Sequence, residues 1–219
     1  MPVSDENGHG TFLASVAAGG ENIQEGFTGA ASEAEIAVVK LKEAKDYLRK
    51  FYGIRQKAVC YQETDIVQGL RYLHLLALKK QMPLVMCVAL GTNLGGHNGM
   101  SSLSRILGSY SRLVDRCVVI GGGNEANERH HFQGKLNQVG EVQEVEMRVE
   151  SGNTGFVAEL WGTIPNIVTA YLISPSGERS PVISIRQGNR YQLTFPFEQT
   201  VVDVEYRLFL RDGRSSFCF

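Results

Sequence analysis

Residues 5–20 read DENGHGTFLASVAAGG, a histidine between two glycines followed by a run of small and apolar residues. The run from His9 predicts a short helix that ends at Gly19 and Gly20, because glycine is the residue that most readily closes a helix. A histidine at such a position is either a helix-capping or surface residue or a general base. As a base, an imidazole accepts a proton from a hydroxyl nucleophile near neutral pH and later returns it to a leaving group. The stretch alone leaves both interpretations open.

Around this stretch, residues 1–136 alternate between strand and helix signals. Three runs that are apolar almost throughout predict strands: EIAVVKL (35–41), LVMCVAL (84–90) and CVVIGGGN (117–124). One helix is predicted after Thr64, and Ser101 or Ser102 caps another. The helix after Thr64 has one apolar face, formed by Ile66, Leu70, Leu73 and Ala77. Strands without polar alternation, separated by helices, predict an α/β domain with a doubly wound parallel sheet covered on both faces.

Residues 137–219 show a different pattern, with no helix signal. They contain short runs in which apolar and polar residues alternate: 141–150, 155–162, 166–173, 181–186, 191–197 and 201–211. Short strands separated by turn residues predict an antiparallel β-sandwich of jelly-roll type. We therefore place a domain boundary between residues 136 and 137. Because the last run ends close to residue 219, we expect the sandwich to be incomplete.

The composition excludes several classes of partner. The chain has 219 residues, 43% of them hydrophobic, and a net charge of −1, with no basic cluster that would bind nucleic acid or a membrane surface. Its longest apolar run is far shorter than the roughly 20 residues of a membrane span, and no signal peptide is visible. None of the four cysteines, Cys60, Cys87, Cys117 and Cys218, is part of a CxxC pair. We expect buried free thiols, which fit a reducing compartment without identifying it.

Two glycine-rich turns follow predicted strands, where α/β sheets place their sites. In GGGNEAN (121–127), the glycines and Ala126 match the dinucleotide pattern G-x-G-x-x-A, but the sequence that follows has no helical apolar face. Alternatively, Asn124 is an amide donor for a developing oxyanion, or a simple turn residue. The turn ALGTNLGG (89–96) is either a plain loop or an edge to which an extended peptide adds as a strand.

A metal site formed by His97, His130 and His131 is also conceivable. Adjacent histidines on a strand point to opposite faces, so His130 and His131 are poorly placed to bind one ion unless they lie in a loop. We expect neither a metal nor another cofactor.

Four blocks together resemble one family. DENGHGTFLASVAAG is similar to the histidine block of the subtilisin-like serine proteases, D-x-x-G-H-G-T-x-x-A-x-x-A-G. FTGAASEAEIAVVKL resembles their G-V-A-P-x-A-x-I-x-x-V-K-V block, VALGTNLGG their substrate-lining S-x-G strand, and VVIGGGNEA their A-A-G-N-E block. The resemblance covers residues 1 to about 130. A β-sandwich inserted after the asparagine block is similar to that of the clostridial spore-germination proteases within this family.

The resemblance implies a subtilisin-like fold and a serine endopeptidase with a Ser-His-Asp mechanism. By this similarity His9 is the catalytic base and Asn124 the oxyanion donor. The backbone of Leu90, Gly91 and Thr92 binds the protein or peptide substrate. Asp5 and Thr11 match family positions that we interpret as structural.

The sequence also departs from the family. Only eight residues precede His9, too few for the aspartate block, and the G-T-S of the serine block is absent. We expect a fragment whose partner is the missing part of its own catalytic domain, and which alone is inactive and aggregates. One alternative is a pseudoprotease that acts as a sensor or scaffold. Another is a binding role for the β half, with Trp161 as an anchor.

Overall fold

The computed structural model describes residues 4–153, 155–183, 188, 190–209 and 214–218. In chain order the elements are α1 (His9–Ala18), α2 (Asp46–Phe51), α3 (Glu63–Lys80), β1 (Leu84–Val88), α4 (Ser102–Ser111), β2 (Arg116–Ile120), β3 (Glu159–Thr163), β4 (Arg190–Phe195), β5 (Thr200–Phe209) and β6 (Arg214–Cys218).

The chain forms two compact units. The first consists of residues 1–44 and 59–86, and the second of residues 45–58 and 87–219. Because these units are defined by contacts between residues, they do not test the sequence-based boundary between residues 136 and 137, which stays a prediction.

Helix α1 in the first unit confirms the helix predicted from residues 9–18. It ends where the N–H of Gly19 bonds to the carbonyl of Ser15 at 2.8 Å. The chain then returns along this end, and Ala31 N donates to Ala17 O at 2.8 Å. A Cβ at Gly29 would lie 2.3 Å from the backbone nitrogen of Gly19, so this close approach requires a glycine.

The predicted α3 is also confirmed, with Leu70 and Ala77 buried. The prediction of a strand at 35–41 is wrong, since these residues form no strand. Ile36 and Val38 are 53% and 66% exposed, while Val39 faces α3, with its Cγ1 3.1 Å from the Cβ position of Gly69. An apolar run becomes a strand only when a neighbour pairs with it, and no strand pairs with this run in the described residues.

Strands β1 and β2 pair as a parallel two-stranded sheet, which confirms the parallel part of the prediction. Ser101 caps the α4 helix, accepting a bond from Ser104 N at 3.2 Å. Within the described residues, this sheet is not packed against other elements on both faces, contrary to the prediction from the sequence. Met86 and Val88 are buried, whereas Val85 is 66% exposed and Ile120 54%. The apolar runs at 84–90 and 117–124 correctly indicate strands, but the described residues cover these strands on one side only.

The second unit contains a four-stranded antiparallel sheet in the order β3-β6-β5-β4. Alternation produces its two faces: Val202, Val204, Tyr206 and Leu208 point inward from β5, opposite Tyr191 and Leu193 of β4. The core of this sheet is formed by Ile183, Val204 and Tyr206.

Two predicted strands in this half are wrong. Residues 141–150 form no strand, and 166–173 contributes only isolated bridges, including Ala170 to Ile183. The predicted strands 181–186 and 201–211 lie partly outside the described residues, as does the end of the chain. The antiparallel architecture is confirmed, and a complete sandwich or jelly roll stays a prediction. The sequence did not predict α2 or β6.

None of the four cysteines forms a disulfide, and Cys87 and Cys117 are exposed rather than buried as predicted. Within the described residues, no helix is both long enough and apolar enough to cross a membrane.

The β5 core gives a first prediction. Val204 is 1% exposed, so Val204→Ala should lower the free energy of unfolding by about 2 kcal/mol through lost burial and a residual cavity. Val201→Ala on the same strand is the matched control, because Val201 is 57% exposed and should change stability little. Urea denaturation compares the two variants. Equal destabilisation of both would contradict the assigned faces of β5.

Candidate functional site

The first candidate region is the turn before α1, in the first unit. The Asp5 carboxylate accepts hydrogen bonds from Asn7 N at 3.0 Å, Gly8 N at 2.9 Å and Thr11 N at 2.9 Å. It also accepts a hydrogen bond from the Thr11 hydroxyl at 2.7 Å. These bonds hold the pKa of Asp5 far below its usual value. The Thr11 hydroxyl has the largest effect, and the backbone N–H groups add to it. Asp5 and Thr11 thus have the structural role expected for them.

This turn positions His9, the first residue of α1, directly after Gly8. Gly8 acts as the N-cap of the helix, and its carbonyl accepts Phe12 N at 2.9 Å. The His9 side chain is exposed, and the backbone on both sides is fixed by the Asp5 bonds. Its imidazole therefore extends from a well-defined helix start in the first unit.

Asp5 leads to a second prediction. The pKa of Asp5 in the folded protein is below the usual 3.8. The carboxylate therefore stabilises this turn fully above pH 3.8, and this stabilisation is lost as the pH falls through the lowered pKa. Asp5→Ala should speed hydrogen exchange of the Thr11 amide at neutral pH, where the unsubstituted protein protects it. Glu6→Ala is the control, since among the described residues the Glu6 side chain contacts only Lys40, at 3.4 Å. Unchanged exchange in Asp5→Ala would contradict the role of the Asp5 carboxylate in holding this turn.

The second candidate region lies where β1 and β2 end, in the second unit. The N–H of Gly121 bonds to the carbonyl of Val88 at 3.1 Å, so the two strands leave the sheet together. After β1 the chain passes through Leu90, Gly91 and Thr92, the last two of which are exposed. After β2 it reaches Asn124, which Gly123 precedes with a φ of +82°.

Asn124 presents an amide at this end of the sheet. Its side chain is exposed and makes no hydrogen bond within the described part of the chain. The positive φ of Gly123 is one that an L-residue adopts at a cost, so the glycine allows the turn that presents Asn124. The amide N–H is thus available to a ligand.

Three side chains connect the turns that follow the two strands. Asn93 Nδ2 donates to Glu125 Oε2 at 2.6 Å, and His130 Nδ1 lies 2.8 Å from the same oxygen. The bonds from His130 and Asn93 lower the pKa of Glu125. The ring of His131 stacks on His97 with centroids 4.5 Å apart. These contacts join Asn93, next to the 90–92 segment, to Glu125, next to Asn124.

A second carboxylate reaches the same region. Glu159 Oε2 on β3 accepts the N–H of Gly95 at 2.7 Å and the indole N–H of Trp161 at 3.0 Å. Trp161 is half-buried, and its polar group has a partner inside the protein. This arrangement does not support Trp161 as a surface anchor for a binding partner.

Two alternatives find no support in the described residues. No helix starts after Gly121–Ala126, so the pyrophosphate site of a dinucleotide pattern is absent there. His97, His130 and His131 do lie in loops, yet no group of three possible metal ligands occurs in the described residues.

The structure thus brings Asn124 and the Leu90–Thr92 segment to the same end of one sheet, and places His9 at the start of α1 in the other unit. Sequence reasoning missed Asn93, Glu125 and Glu159. Glu125 lies inside the asparagine block VVIGGGNEA and was available as a signal. Glu159 was not, because an acidic residue in an alternating strand looks like an ordinary exposed position.

Comparison with known proteins identifies a family and a structure of similar fold. Residues 1–197 match the family model of peptidase S8, the subtilase family. The structure of the CspB protease of Clostridium perfringens is similar to the chain, with a TM-score of 0.80 and 24% sequence identity. The match covers 99% of this chain and 44% of the CspB protease, so the chain spans less than half of that protein's length. No curated protein sequence gives a significant match.

Proposed function

Because the chain belongs to the subtilase family, we propose that it is part of a serine endopeptidase that hydrolyses peptide bonds by a Ser-His-Asp mechanism. The observation that carries this proposal is the end of the β1-β2 sheet. There, the Asn124 amide, which bonds to no described residue, lies on the turn adjacent to the Leu90–Thr92 segment.

In this mechanism His9 is the general base. Its imidazole takes the proton of a serine hydroxyl as the serine oxygen attacks the scissile carbonyl, and then gives the proton to the leaving amine. A helix start fixed by four hydrogen bonds to Asp5 supports this role, since a base must be held in place to act.

Asn124 stabilises the negative charge that develops on the carbonyl oxygen. Its amide N–H donates to that oxygen, which becomes a better acceptor as the tetrahedral intermediate forms. Because no protein group in the described residues competes for this amide, the amide needs no rearrangement before it donates.

The substrate is a protein or peptide in extended form. The backbone of Leu90, Gly91 and Thr92 would pair with the residues before the scissile bond as an added strand. The serine and aspartate of the triad would come from other parts of the same catalytic domain, which are the proposed partner of this chain. A base without its nucleophile contributes little, since the triad acts as a unit.

Peptide mapping by mass spectrometry tests the proposal. The full-length protein that carries this chain is incubated with an unfolded protein, with and without a serine-directed inhibitor. New internal termini that the inhibitor prevents are the expected result. If no new termini form, the proposal is overturned and a pseudoprotease scaffold becomes the better explanation.

A further inference from the structure

The 93–97 loop follows the proposed peptide-binding segment directly. Whatever fixes this loop also limits how far the backbone of Leu90–Thr92 can move. Side chains from two other parts of the second unit contact the loop, one at Asn93 and one at Gly95.

The first contact joins the loop to the turn that presents Asn124. Asn93 donates to Glu125, which His130 also contacts, and Glu125 is the residue after Asn124. The lowered pKa of Glu125 keeps it a carboxylate in the neutral range. A bond from an amide N–H to a carboxylate is stronger than one between neutral groups.

The second contact joins the loop to the antiparallel sheet. Glu159 is paired with Cys218 at the start of β3, so its backbone is held by a neighbouring strand. Trp161 donates to the same carboxylate oxygen that accepts the Gly95 N–H, and this second bond orients the carboxylate.

We propose that Asn93 and Glu159 are positioning residues for peptide binding. They hold the 93–97 loop at two points and thereby keep Leu90–Thr92 in the extended form that an added peptide strand requires. A segment that is ordered before binding loses less backbone entropy when the peptide binds. This inference rests on the proposed peptidase function of the same site.

Kinetics on two kinds of substrate test the inference. Asn93→Ala and Glu159→Ala, made separately in the full-length protein, should each raise KM for an extended peptide about tenfold, the size expected for losing a hydrogen bond to a charged group. For a short ester that does not reach residues 90–92, kcat and KM should remain unchanged. A general loss of structure would instead reduce kcat on both substrates.

Matched variants separate positioning from a general effect of substitution. Asn127→Ala and Glu128→Ala alter exposed residues of the neighbouring turn, whose side chains bond to no described residue, and should leave both KM values unchanged. Glu159→Gln should partly restore peptide binding, because its amide oxygen can still accept the Gly95 N–H. Trp161→Phe should raise the peptide KM less than Glu159→Ala does. If Glu159→Ala fails to fold, these two milder variants decide the question.

Two further measurements, which need no catalysis, distinguish failure of this inference from failure of the proposed function. They are hydrogen exchange at Gly95 and the Kd of a non-hydrolysable extended peptide. Faster exchange and weaker binding in Glu159→Ala support the inference even if the protein cleaves nothing. Normal cleavage with unchanged KM in Asn93→Ala and Glu159→Ala overturns it while the peptidase function stands. Absence of peptide binding to the unsubstituted protein also overturns it.

Discussion

If His9 is the base we propose, His9→Ala in the full-length protein should lower kcat for peptide hydrolysis by about 10⁶-fold, the size of the loss known for the catalytic histidine of subtilisin. The physical reason is that a serine hydroxyl is a poor nucleophile until a base removes its proton. KM should change little, because the imidazole acts on the reacting proton rather than on the bound peptide. Steady-state kinetics on a peptide substrate measures both constants.

His74→Ala is the control for this substitution. His74 lies on α3 and has no role in the proposed mechanism, so its replacement should leave kcat within a few-fold of the unsubstituted value. If His9→Ala retained a similar activity, His9 would be a helix-start residue without catalytic function.

The second large effect is expected for Asn124→Ala. Loss of the proposed oxyanion donor should lower kcat by about 10²- to 10³-fold, again the size known for the oxyanion-hole asparagine of subtilisin. The effect should fall on kcat, because the amide bonds to the oxyanion more strongly than to the carbonyl of the bound peptide. Asn127→Ala, three residues further along the same turn, is the matched control. Kinetics in which KM rises and kcat is unchanged would assign Asn124 to substrate binding.

Combining the two substitutions tests whether both residues serve one reaction. Without His9, the remaining slow reaction no longer depends fully on the oxyanion contact. Removing Asn124 from this variant should lower kcat only a little further. The double variant should therefore lose much less than the product of the two single losses. Full additivity would indicate that His9 and Asn124 act in independent steps.

Helices and strands that are determined by a few neighbouring residues were predictable from the sequence. The α1 helix ends at a glycine, α4 begins at a capping serine, and β5 alternates between apolar and polar residues, so each carries its signal within a few positions. The candidate residues His9 and Asn124 were also found locally, because glycine-rich turns that present polar side chains are short motifs.

Elements with a distant cause were not predictable. The β6 sequence RSSFC does not alternate, and it is a strand because it lies between β3 and β5 in the sheet. Helix α2 contains a buried arginine, Arg49, which donates to the carbonyls of Arg55, Gln56 and Ala58 at 3.1, 2.8 and 2.6 Å. A charged residue of this kind looks like a surface position in the sequence. Residues 35–41 illustrate the reverse case, in which a strand-like sequence has no partner in the described residues.

The contacts around the 93–97 loop fail to appear in the sequence for the same reason. Gly95 and Glu159 are 64 residues apart, and no short motif connects a glycine amide to a distant carboxylate. Only the fold brings them to 2.7 Å.

The central claim is that this chain supplies the base of a serine peptidase, and fluorophosphonate labelling of the full-length protein tests it most directly. The reagent bonds covalently to a serine only where a base activates it. We predict that the unsubstituted protein is labelled on one serine, that the His74→Ala variant is labelled equally, and that the His9→Ala variant is not labelled. Failure to label the unsubstituted protein, or equal labelling of His9→Ala, would contradict the claim.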